Sequence, residues 1–599
     1  MTKKPTSGLE KKVWDQVFAP GTPFEVREEV ISYEGESAHF KGVKYEVFPN
    51  GPQTLLDIYK VPVANGAMKL DFLVDETSRL TFQETYNLSA ALGSALVKDF
   101  GLQKGDRVIT LSKNRNEYLV ALIGSTSVGG VSVPMNSYWK TKELEYGVEN
   151  SGAKVIVCDA DRYKSLEPIL DKLTSLKHVL LLSGPGADKF KPHPKVVFFD
   201  DAVRKHQGAA MPVVSVGKDD NAMIMYTSGT TGHPKGVVLT HRSIAHNLTA
   251  AASAMAYEKN LAAAKTGKAL DPPLDPSKTA FLLAVPLFHV TGHHCVCLLS
   301  ILSCRKIVIM SKWDPEHALQ LIETEKCTNF TGVPTMVLDM MSHPNFKKYD
   351  TSTLVSVGGG GAAPPSTMVG EVDRNFKGAS PLQAWGMTET NGIATLNEGD
   401  LYRRKPSSCG KAVPTTEIAI WDANDKPVPT NEEGELVIRG ALMLKEYWNN
   451  LEATAKNITA DGWFRTGDVG VIDEEGYLHL RGRSKEIIIR GGENISCVVV
   501  ENAVYQHPEI AEVAAIPVPH PTLGEEVGIA VFTKGNARPS LESIRKICGD
   551  LARYEMPTHL YIWPEQLPRG DTGKIHKRTI LADIKDGKIR DEAVPVSKL

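Results

Sequence analysis

The sequence has no long apolar run. Its apolar stretches, such as residues 279–288, fall well short of the ~20 residues that a membrane-spanning helix needs. The N-terminal stretch MTKKPTSGLEKKVW contains no apolar core of the kind that a secretory signal requires. We therefore expect neither a transmembrane helix nor a signal for secretion.

Cysteine and net charge are also scarce. Only 8 of the 599 residues are cysteine, and most lie in apolar, strand-like runs, which is typical of reduced, buried thiols rather than of a disulfide framework. The formal net charge is −3, so no strong electrostatic attraction to nucleic acid is expected. Because 42% of the residues are hydrophobic, the chain has ample material for the core of an ordinary soluble protein.

Short β-rich runs alternate with segments of helical periodicity between about residues 80 and 400. Residues 314–326 are one such helix, with a proline in the first turn and apolar residues at helical spacing. This alternation predicts an α/β fold with layered, mostly parallel sheets. Residues 258–278 are polar, contain prolines and lack periodicity, so we interpret them as an inserted surface loop. The predicted strands include residues 107–112, 154–159, 306–310 and 354–359.

One stretch has the composition of a phosphate-binding loop, namely YTSGTTGHPKG at residues 226–236. It is not the P-loop of nucleoside triphosphatases, because Pro234 and Gly236 flank Lys235 where that motif has a glycine and a hydroxyl residue. The apolar run before it predicts a strand, and the alanine-rich segment 240–256 after it predicts a helix. Loops between strands and helices are where open α/β sheets bind ligands, and glycines, hydroxyls and a lysine suit a phosphate. The candidate phosphate-binding residues are Thr227, Ser228, Gly229, Thr230, Thr231 and Lys235.

Further segments follow this loop in a characteristic order. With them, the chain resembles the adenylate-forming superfamily, which includes acyl-CoA synthetases, beetle luciferases and the adenylation domains of peptide synthetases. The collinear resemblance spans residues 226–575. The segments are PLFHVTG (286–292), GGGGAAP (358–364), QAWGMTET (383–390), GWFRTGDVG (462–470), GRSKEIIIRGGENI (482–495) and LPRGDTGKI (567–575).

The resemblance implies two domains. A large N-terminal AMP-binding and acyl-binding domain with layered α/β sheets would occupy residues 1–484, and a small mobile α+β domain would occupy residues 485–599. Lys485 resembles the hinge residue of the family. About that hinge the small domain turns between an orientation that forms an acyl-adenylate and one that forms a thioester.

The resemblance also implies the chemistry of the site. A carboxylate is joined to the α-phosphate of ATP, so two negatively charged groups meet and the site has to supply positive charge in a fixed geometry. Lys574 resembles the lysine that bridges the acyl carboxylate and the α-phosphate. Glu389 resembles the carboxylate that is linked to Mg²⁺, and Thr388 beside it resembles a donor to the α-phosphate.

The other contacts to ATP and CoA are implied in the same way. Trp385 stands where the family usually has a tyrosine against the adenine, and a packed core aromatic is the alternative. Asp468 resembles the carboxylate that accepts the ribose hydroxyls, and Arg483 resembles a second ribose or phosphate contact. The remaining implied residues are Gly361, Ala362 and Gly386 in the nucleotide site and Gly491 and Gly492 in a tunnel for pantetheine.

The segment around His289 informs the choice of acid. Relatives that activate amino acids usually place an aspartate close to this position, to pair with the substrate ammonium. Residues 288–291 are Phe-His-Val-Thr, and burying an ammonium without a partner is costly, so an amino acid substrate is disfavoured. His289 is a candidate gate of the acyl pocket or a packed core histidine. The expected pocket residues are small or apolar and suit a fatty or an arylalkanoic acid: Val290, Thr291, Gly292, Val333, Gly358, Gly359, Gly360, Gly361 and Ala362.

Histidines and cysteines crowd residues 289–297. Their spacing is not that of a zinc site, so we predict a buried helix start there. The final Ser597-Lys598-Leu599 matches the address that the peroxisomal import receptor reads, and this predicts a peroxisomal enzyme. CoA is then the expected acceptor, because acids enter β-oxidation as CoA thioesters.

The expected activity is that of an ATP- and Mg²⁺-dependent acyl-CoA synthetase for a medium- or long-chain fatty acid. A coumarate-type aromatic acid–CoA ligase and a luciferase-like adenylating oxidoreductase are the alternatives. A binding protein with an inactive site is a third, against which the presence of Lys235, Glu389, Asp468 and Lys574 argues.

Overall fold

In a computed structural model of the chain, the strands of the described residues form five sheets. The structure describes residues 4–5, 8–33, 42–227, 233–267, 269–270, 275–365, 367–483, 487–491, 493–535, 537–549 and 551–593. The strands of this part are β1 (Arg27–Ile31), β2 (Val43–Val47), β3 (Asp71–Val74), β4 (Arg79–Thr81), β5 (Arg107–Leu111), β6 (Val131–Pro134), β7 (Val155–Cys158), β8 (His178–Leu181), β9 (Val196–Phe198), β10 (Asn221–Thr227), β11 (Lys235–Thr240), β12 (Ala280–Leu283), β13 (Lys306–Ile309), β14 (Asn329–Gly332), β15 (Ser356–Gly360), β16 (Ser380–Met387), β17 (Gly392–Glu398), β18 (Lys411–Ala412), β19 (Thr416–Trp421), β20 (Gly434–Gly440), β21 (Glu446–Tyr447), β22 (Phe464–Ile472), β23 (Leu478–Arg483), β24 (Ile488–Arg490), β25 (Glu493–Ile495), β26 (Ile510–His520), β27 (Gly524–Thr533) and β28 (His559–Ile562).

Helices connect most of these strands. The α-helices are α1 (Gly8–Val17), α2 (Leu55–Ala64), α3 (Phe82–Lys98), α4 (Asn116–Ser127), α5 (Thr141–Ser151), α6 (Ala160–Leu166), α7 (Phe199–Lys205), α8 (His241–Thr266), α9 (Leu299–Leu302), α10 (Pro315–Glu325), α11 (Pro334–Ser342), α12 (Met368–Asn375), α13 (Gly399–Arg404), α14 (Leu451–Asn457), α15 (Cys497–Val504), α16 (Leu541–Ile547) and α17 (Lys577–Lys585). No helix in the described ranges is both long enough and apolar enough to span a membrane.

Two large sheets confirm the predicted α/β layers. One has eight strands in the order β21-β11-β10-β6-β5-β7-β8-β9, and the other has nine in the order β18-β17-β16-β15-β14-β12-β13-β3-β4. The central strands of both are parallel. Strands such as β7 are short apolar runs that are buried along their whole length, as expected for parallel strands covered on both faces.

Two smaller units follow the large sheets. Strands β19, β20, β22 and β23 form an antiparallel sheet. The last unit is α+β: β24–β28 form one sheet, and α15 and α16 cover it through a separate core that includes Val500, Ile529 and Ile544. Because it has its own core, this unit is a second domain in the physical sense. The predicted boundary near Lys485 lies outside the described residues and stays a prediction.

The prediction of a surface loop over residues 258–278 is wrong in its first half. Helix α8 continues to Thr266, because residues 258–266 are rich in alanine, lysine and leucine, which favour helix. The N-terminal helix α1 packs on α8: Trp14 and Phe18 stack with ring centroids 4.1 Å apart, and the Trp14 ring meets Tyr257 at 5.5 Å. The N-terminal residues therefore cover part of this long helix.

The glycine-rich stretch also differs from the prediction, because it joins two strands rather than a strand and a helix. Strands β10 and β11 are antiparallel, and Thr227 lies opposite Lys235. The residues after Lys235 are mostly β-branched and apolar, and they are buried in the sheet. Helix α8 begins only after β11. The predicted helix start near residues 289–297 is confirmed, since residues Thr291–Leu298 form a π-helical turn that leads into α9.

Candidate active site

A cavity of about 2370 Å³ lies between the large sheets and the C-terminal domain. Residues predicted from separate motifs line it together. They come from the ends of β11, β15 and β16, from the antiparallel pair β22 and β23, and from the C-terminal domain. Among the predicted residues in the described part, the lining includes Thr227, Lys235, His289, Gly361, Ala362, Trp385, Gly386, Thr388, Glu389, Asp468, Arg483 and Lys574.

Tyr447 joins two of the predicted residues. Strand β21 pairs with β11, and this pairing brings Tyr447 beside Lys235. The Lys235 ammonium lies 4.9 Å from the centre of the Tyr447 ring, and the Tyr447 hydroxyl donates a hydrogen bond of 2.8 Å to Glu389. The sequence gives no local signal for Tyr447, because it lies 58 residues beyond Glu389 in the chain.

Glu389 is a buried carboxylate that is only 5% exposed. Burial raises its pKa, and the Tyr447 hydroxyl, a backbone hydrogen bond and the charges of Arg483 and Lys235 partly offset that rise. A cation bound to this carboxylate would favour its ionised form. A hard divalent ion takes one or two carboxylates and several waters, so the chemistry of Glu389 fits Mg²⁺ held beside phosphates.

Trp385 and Asp468 form a second group. The indole N–H of Trp385 donates a hydrogen bond of 2.8 Å to Asp468. Asp468 and Arg483 are paired in register on β22 and β23, and the guanidinium of Arg483 lies 3.2 Å from the other carboxylate oxygen. Asp468 is therefore held in one orientation, and its two oxygens keep lone pairs for further donors such as ribose hydroxyls.

Lys574 enters the cavity on a tight hairpin. The peptide N–H of Gly570 donates to the carbonyl of Lys574, and that of Gly573 donates to the carbonyl of Gly570. A Cβ atom placed on Gly361 would lie 3.3 Å from the Lys574 ammonium, so the glycine leaves room for the lysine at the end of β15. Burial and the nearby Lys574 charge lower the pKa of His289 to about 3, so this imidazole is neutral.

Contacts between the domains hold this hairpin. The Asp339 carboxylate on α11 accepts two hydrogen bonds from Arg569, at 2.9 and 3.2 Å, and one from Gln566 at 3.1 Å. The hydroxyl of Thr335 donates to the carbonyl of Gly573 at 3.1 Å. We call Asp339, Arg569 and Gln566 the docking contact. The sequence motifs did not identify it, because Asp339 and Arg569 are 230 residues apart.

The glycines of β15 are required by the sheet itself. A Cβ atom at Gly358 would lie 1.9 Å from the carbonyl oxygen of Leu382, and one at Gly359 would lie 1.7 Å from the carbonyl oxygen of Gly332. Neighbouring strands therefore leave no space for a side chain there. Gly358 and Gly359, which were predicted as small residues of the acyl pocket, are therefore also required by the backbone of the sheet.

Some predicted residues are not brought to the cavity. Gly491 lies in the turn between β24 and β25, outside the cavity lining, and its N–H donates to the carbonyl of Leu523. Its proposed contact with CoA stays a prediction. The other predicted residues outside the described ranges are Ser228, Gly229, Thr230, Thr231, Lys485, Gly492 and Ser597-Lys598-Leu599.

Comparison with known families agrees with this arrangement. The profile described as "AMP-binding enzyme" matches residues 63–448, and the profile described as "AMP-binding enzyme C-terminal domain" matches residues 499–574. The chain belongs to the AMP-binding enzyme family. The first match includes the predicted loop and the Trp385–Glu389 segment, and the second ends at Lys574.

Individual relatives of this AMP-binding enzyme cover most of its length. It is 32% identical to a long-chain-fatty-acid–CoA ligase of Escherichia coli O6:H1, over 92% of this chain and 98% of that protein. It is also 32% identical to a feruloyl-CoA synthase of an Amycolatopsis species, over 83% of this chain and 92% of that protein. Among solved structures, ATP-bound MatB from Rhodopseudomonas palustris matches with a TM-score of 0.75 and 26% identity, over 89% of this chain and 99% of that one.

Proposed function

We propose that this AMP-binding enzyme is an AMP-forming acyl-CoA synthetase that uses ATP, Mg²⁺ and CoA to activate a medium- or long-chain fatty acid. The observation that carries the proposal is the convergence of Lys574, Glu389 and the Trp385–Asp468 pair on one cavity. These groups come from two domains and supply the charge, the metal ligand and the sugar contact that adenylation needs. The ATP-bound solved relative supports the nucleotide assignment.

In the first step a carboxylate oxygen of the acid attacks the α-phosphorus of ATP, and the bond to pyrophosphate breaks. Both reactants are negative, so a cation near the forming bond lowers the barrier. Lys574 fits this role because its hairpin holds the ammonium beside Gly361 at the end of β15. In the second step the CoA thiol loses its proton and attacks the acyl carbonyl carbon, and AMP leaves.

Glu389 would hold the Mg²⁺ ion. When bound, this ion would neutralise charge on the phosphates and orient them. The Tyr447 hydroxyl fixes one oxygen of the carboxylate, and Lys235 lies over the same tyrosine ring. This cluster therefore fixes the carboxylate and places a second cation near the phosphates.

The lining of the cavity supports a fatty acid. Beyond His289 the walls include Phe281, Leu299, Leu382 and Leu396, which suit a hydrocarbon chain. The Escherichia coli relative is named for long-chain fatty acids. The feruloyl-CoA synthase relative makes an aromatic acid the second candidate.

The test is to supply the protein with ATP, Mg²⁺, CoA and a panel of acids from acetate to oleate, with cinnamates included, and to identify products by mass. We expect AMP together with medium- or long-chain acyl-CoA. Cinnamoyl-CoA as the main product would favour the second candidate. Light emission in air without CoA would favour the luciferase-like alternative, and no turnover of any acid would contradict the proposal.

The role of Lys574 has a separate test. We expect Lys574→Ala to slow acyl-adenylate formation ~100-fold or more, because a single preorganised charge or donor typically contributes about that much. Lys588→Ala is the matched control, since Lys588 pairs with Asp583 on the surface of the same domain. Adenylate formation by Lys574→Ala at the wild-type rate would remove this lysine from the reaction.

The proposal includes import into peroxisomes, for a chain whose free end is Ser597-Lys598-Leu599. The relatives described above are bacterial and offer no support for it. We expect a fluorescent protein fused to the N-terminus of this chain to accumulate in peroxisomes of eukaryotic cells. Deleting Leu599 should leave it in the cytosol, and an unchanged distribution would contradict the prediction.

A further inference from the structure

The cavity does not end where the apolar wall ends. It continues from the nucleotide site to the opposite edge of the nine-stranded sheet, where the parallel strands begin. The polar residues at that edge line the same cavity. They lie at or next to the ends of β12–β17: Thr279, Arg305, Asn329, Ser356, Ser380 and Glu398.

Arg305 and Glu398 are the charged members of this group, which we call the distal polar end. Both side chains are partly buried, and burial lowers the pKa of Arg305 and raises that of Glu398. Ser356 donates a long hydrogen bond of 3.5 Å to Glu398. Within the described part of the chain, the Arg305 guanidinium has no hydrogen bond and no carboxylate within 4.0 Å.

Such an arrangement is unfavourable without a ligand. A guanidinium has five N–H donors and stays charged at every physiological pH. Partial burial of the guanidinium without a hydrogen-bond partner costs free energy, and the nearby Glu398 carboxylate attracts it without contacting it. A substrate group that bonded to both would recover that cost. The distal polar end is therefore suited to recognise a polar substituent at the far end of the acyl chain.

The charges indicate which substituent fits. Arg305 supplies donors and Glu398 supplies an acceptor, so their sum is neutral. A hydroxyl can accept from the guanidinium and donate to the carboxylate at once. A second carboxylate would be repelled by the charge of Glu398, and a methyl group would form no hydrogen bond with either side chain.

The sheet sets the length of the acid. Gly361 lies next to Lys574, and Ser356 contacts Glu398. Gly361 lies five residue steps beyond Ser356 along the β15 segment, which corresponds to about 16 Å at the rise of an extended strand. An extended hydrocarbon chain advances about 1.25 Å for every C–C bond, somewhat less than the bond length because the chain zigzags, so this distance spans about 13 bonds. A hydroxycinnamate is too short for it, whereas an aliphatic chain is not.

We infer that the distal polar end selects ω-hydroxy fatty acids of about 12 to 14 carbons, whose hydroxyl bridges Arg305 and Glu398 while Lys574 contacts the carboxylate. The inference rests on the proposed acyl-CoA synthetase function. It goes beyond that function by naming the chemistry at the end of the chain that does not react.

The experiment compares kcat/KM for paired acids of 8 to 16 carbons, with and without a terminal hydroxyl, under saturating ATP and CoA. For wild type we expect the hydroxyl to raise kcat/KM by roughly tenfold to a hundredfold near 12 to 14 carbons, the range for hydrogen bonds to charged groups, and by much less at 8. Arg305→Met should bring the kcat/KM of each hydroxylated acid close to that of its unsubstituted partner, so that their ratio is near one, while the unsubstituted acid is still turned over. Arg403→Met is the matched control, because Arg403 lines the same end of the cavity but is already paired with Asp373 and Asp400.

Several outcomes overturn the inference. One is equal kcat/KM for the paired acids at every length, and another is an unchanged ratio in Arg305→Met. A preference for the α,ω-dicarboxylic acid over the ω-hydroxy acid would show that the positive charge of Arg305 dominates the distal polar end. A preference for 4-hydroxycinnamate would show that the length argument is wrong. Turnover of neither member of any pair contradicts the proposed function itself, which separates the two failures.

Discussion

Replacing Asp339 with asparagine tests whether the docking contact sets the position of Lys574. The change is nearly isosteric and keeps one acceptor oxygen. That oxygen can still accept from the Trp313 indole, which donates to Asp339 at 3.0 Å within the large domain. What is lost is the negative charge that binds the Arg569 guanidinium through two hydrogen bonds. We therefore expect a weaker contact between the domains and little change within either of them.

The expected size follows from the burial of the pair. The side chains of Asp339 and Arg569 are only 12% and 16% exposed, so their interaction is weakly screened. Arg569 keeps a second ion pair with Glu512 of its own domain, so the substitution leaves no isolated buried charge. We estimate a loss of about 2 kcal/mol, within the range for hydrogen bonds to charged groups. This lowers the ratio of docked to undocked hairpin by roughly 30-fold.

The assay separates the two half-reactions. ATP–pyrophosphate exchange with a fatty acid reports adenylate formation, and conversion of a synthetic acyl-adenylate by CoA reports thioester formation. We expect Asp339→Asn to lower the exchange rate, by about tenfold to 30-fold if the wild-type hairpin is docked for about half of the time or less, and by a smaller factor if it is docked more fully. Thioester formation should stay within about twofold, because the proposed second step does not use Lys574.

The control is Asp373→Asn, which removes a partner of Arg403 on the surface of the same large domain. In a double-mutant cycle, Asp339→Asn should add little to the effect of Arg569→Met, since both remove the same contact. Equal losses in the two half-reactions, or an unchanged exchange rate, would refute the reasoning. A lowered melting temperature for Asp339→Asn would assign the effect to stability instead.

Three further predictions concern other parts of the molecule. Tyr447→Phe removes the hydroxyl that donates to Glu389, so the Mg²⁺ concentration for half-maximal adenylation should rise about tenfold; an unchanged Mg²⁺ requirement would contradict that role. Gly358→Ala places a methyl group against the carbonyl of β16, and unfolding experiments should show a loss of about 3 kcal/mol or more; a soluble variant of wild-type stability would show that the sheet can shift. The hydrogen bond to Asp591, with smaller contributions from nearby charges, raises the pKa of His559. The stability that this hydrogen bond gives the folded protein is therefore fully present below the ordinary histidine pKa of about 6.5, and it is lost as the pH rises through the raised pKa of His559. His559→Gln should lower the melting temperature at pH 6 and not at pH 9, and an equal loss at both would contradict the assignment.

Local sequence patterns predicted the central strands and several helices well. Strands β5, β7 and β13 lie within one or two residues of the predicted runs, because continuous β-branched segments bounded by turns have few alternatives. Helix α10 begins where expected: the Asp314 side chain accepts the N–H of His317, and a proline occupies the first turn. In these elements the residues that decide the structure are neighbours in the chain.

The errors have two causes. The prediction of a loop over residues 258–266 overlooked the alanine, lysine and leucine residues that favour helix, and these residues continue α8 beyond the turn that packs on α1. The helix predicted over residues 240–256 is confirmed as the first part of α8, but the prediction joined the glycine-rich loop directly to that helix and left out a strand at residues 235–240. Residues 235–240 form β11 because pairing with β10 buries their apolar side chains.

The candidate site also contains residues that local sequence predicted and residues that only distant contacts explain. The motifs predicted Lys235, Glu389, Asp468 and Lys574 from their neighbours in the sequence, and all four line one cavity. The side chains that hold these four residues in place could not be predicted from their neighbours in the sequence. Tyr447 reaches Glu389 only because a two-residue edge strand, β21, pairs with β11.

The docking contact shows why this enzyme needs a fixed geometry between domains. Lys574 belongs to a domain with its own core, so folding of that domain alone does not place the ammonium at the nucleotide. Its position depends on Asp339 and Thr335 of the large domain, which bind the two arms of the hairpin. Because these contacts are polar and few, they contribute several kcal/mol at most, which suits the proposed alternation of the domain between the two half-reactions. Under that proposal, a large apolar interface would hold Lys574 more firmly, but it would also keep the hairpin in the cavity when the acyl-adenylate has to meet CoA.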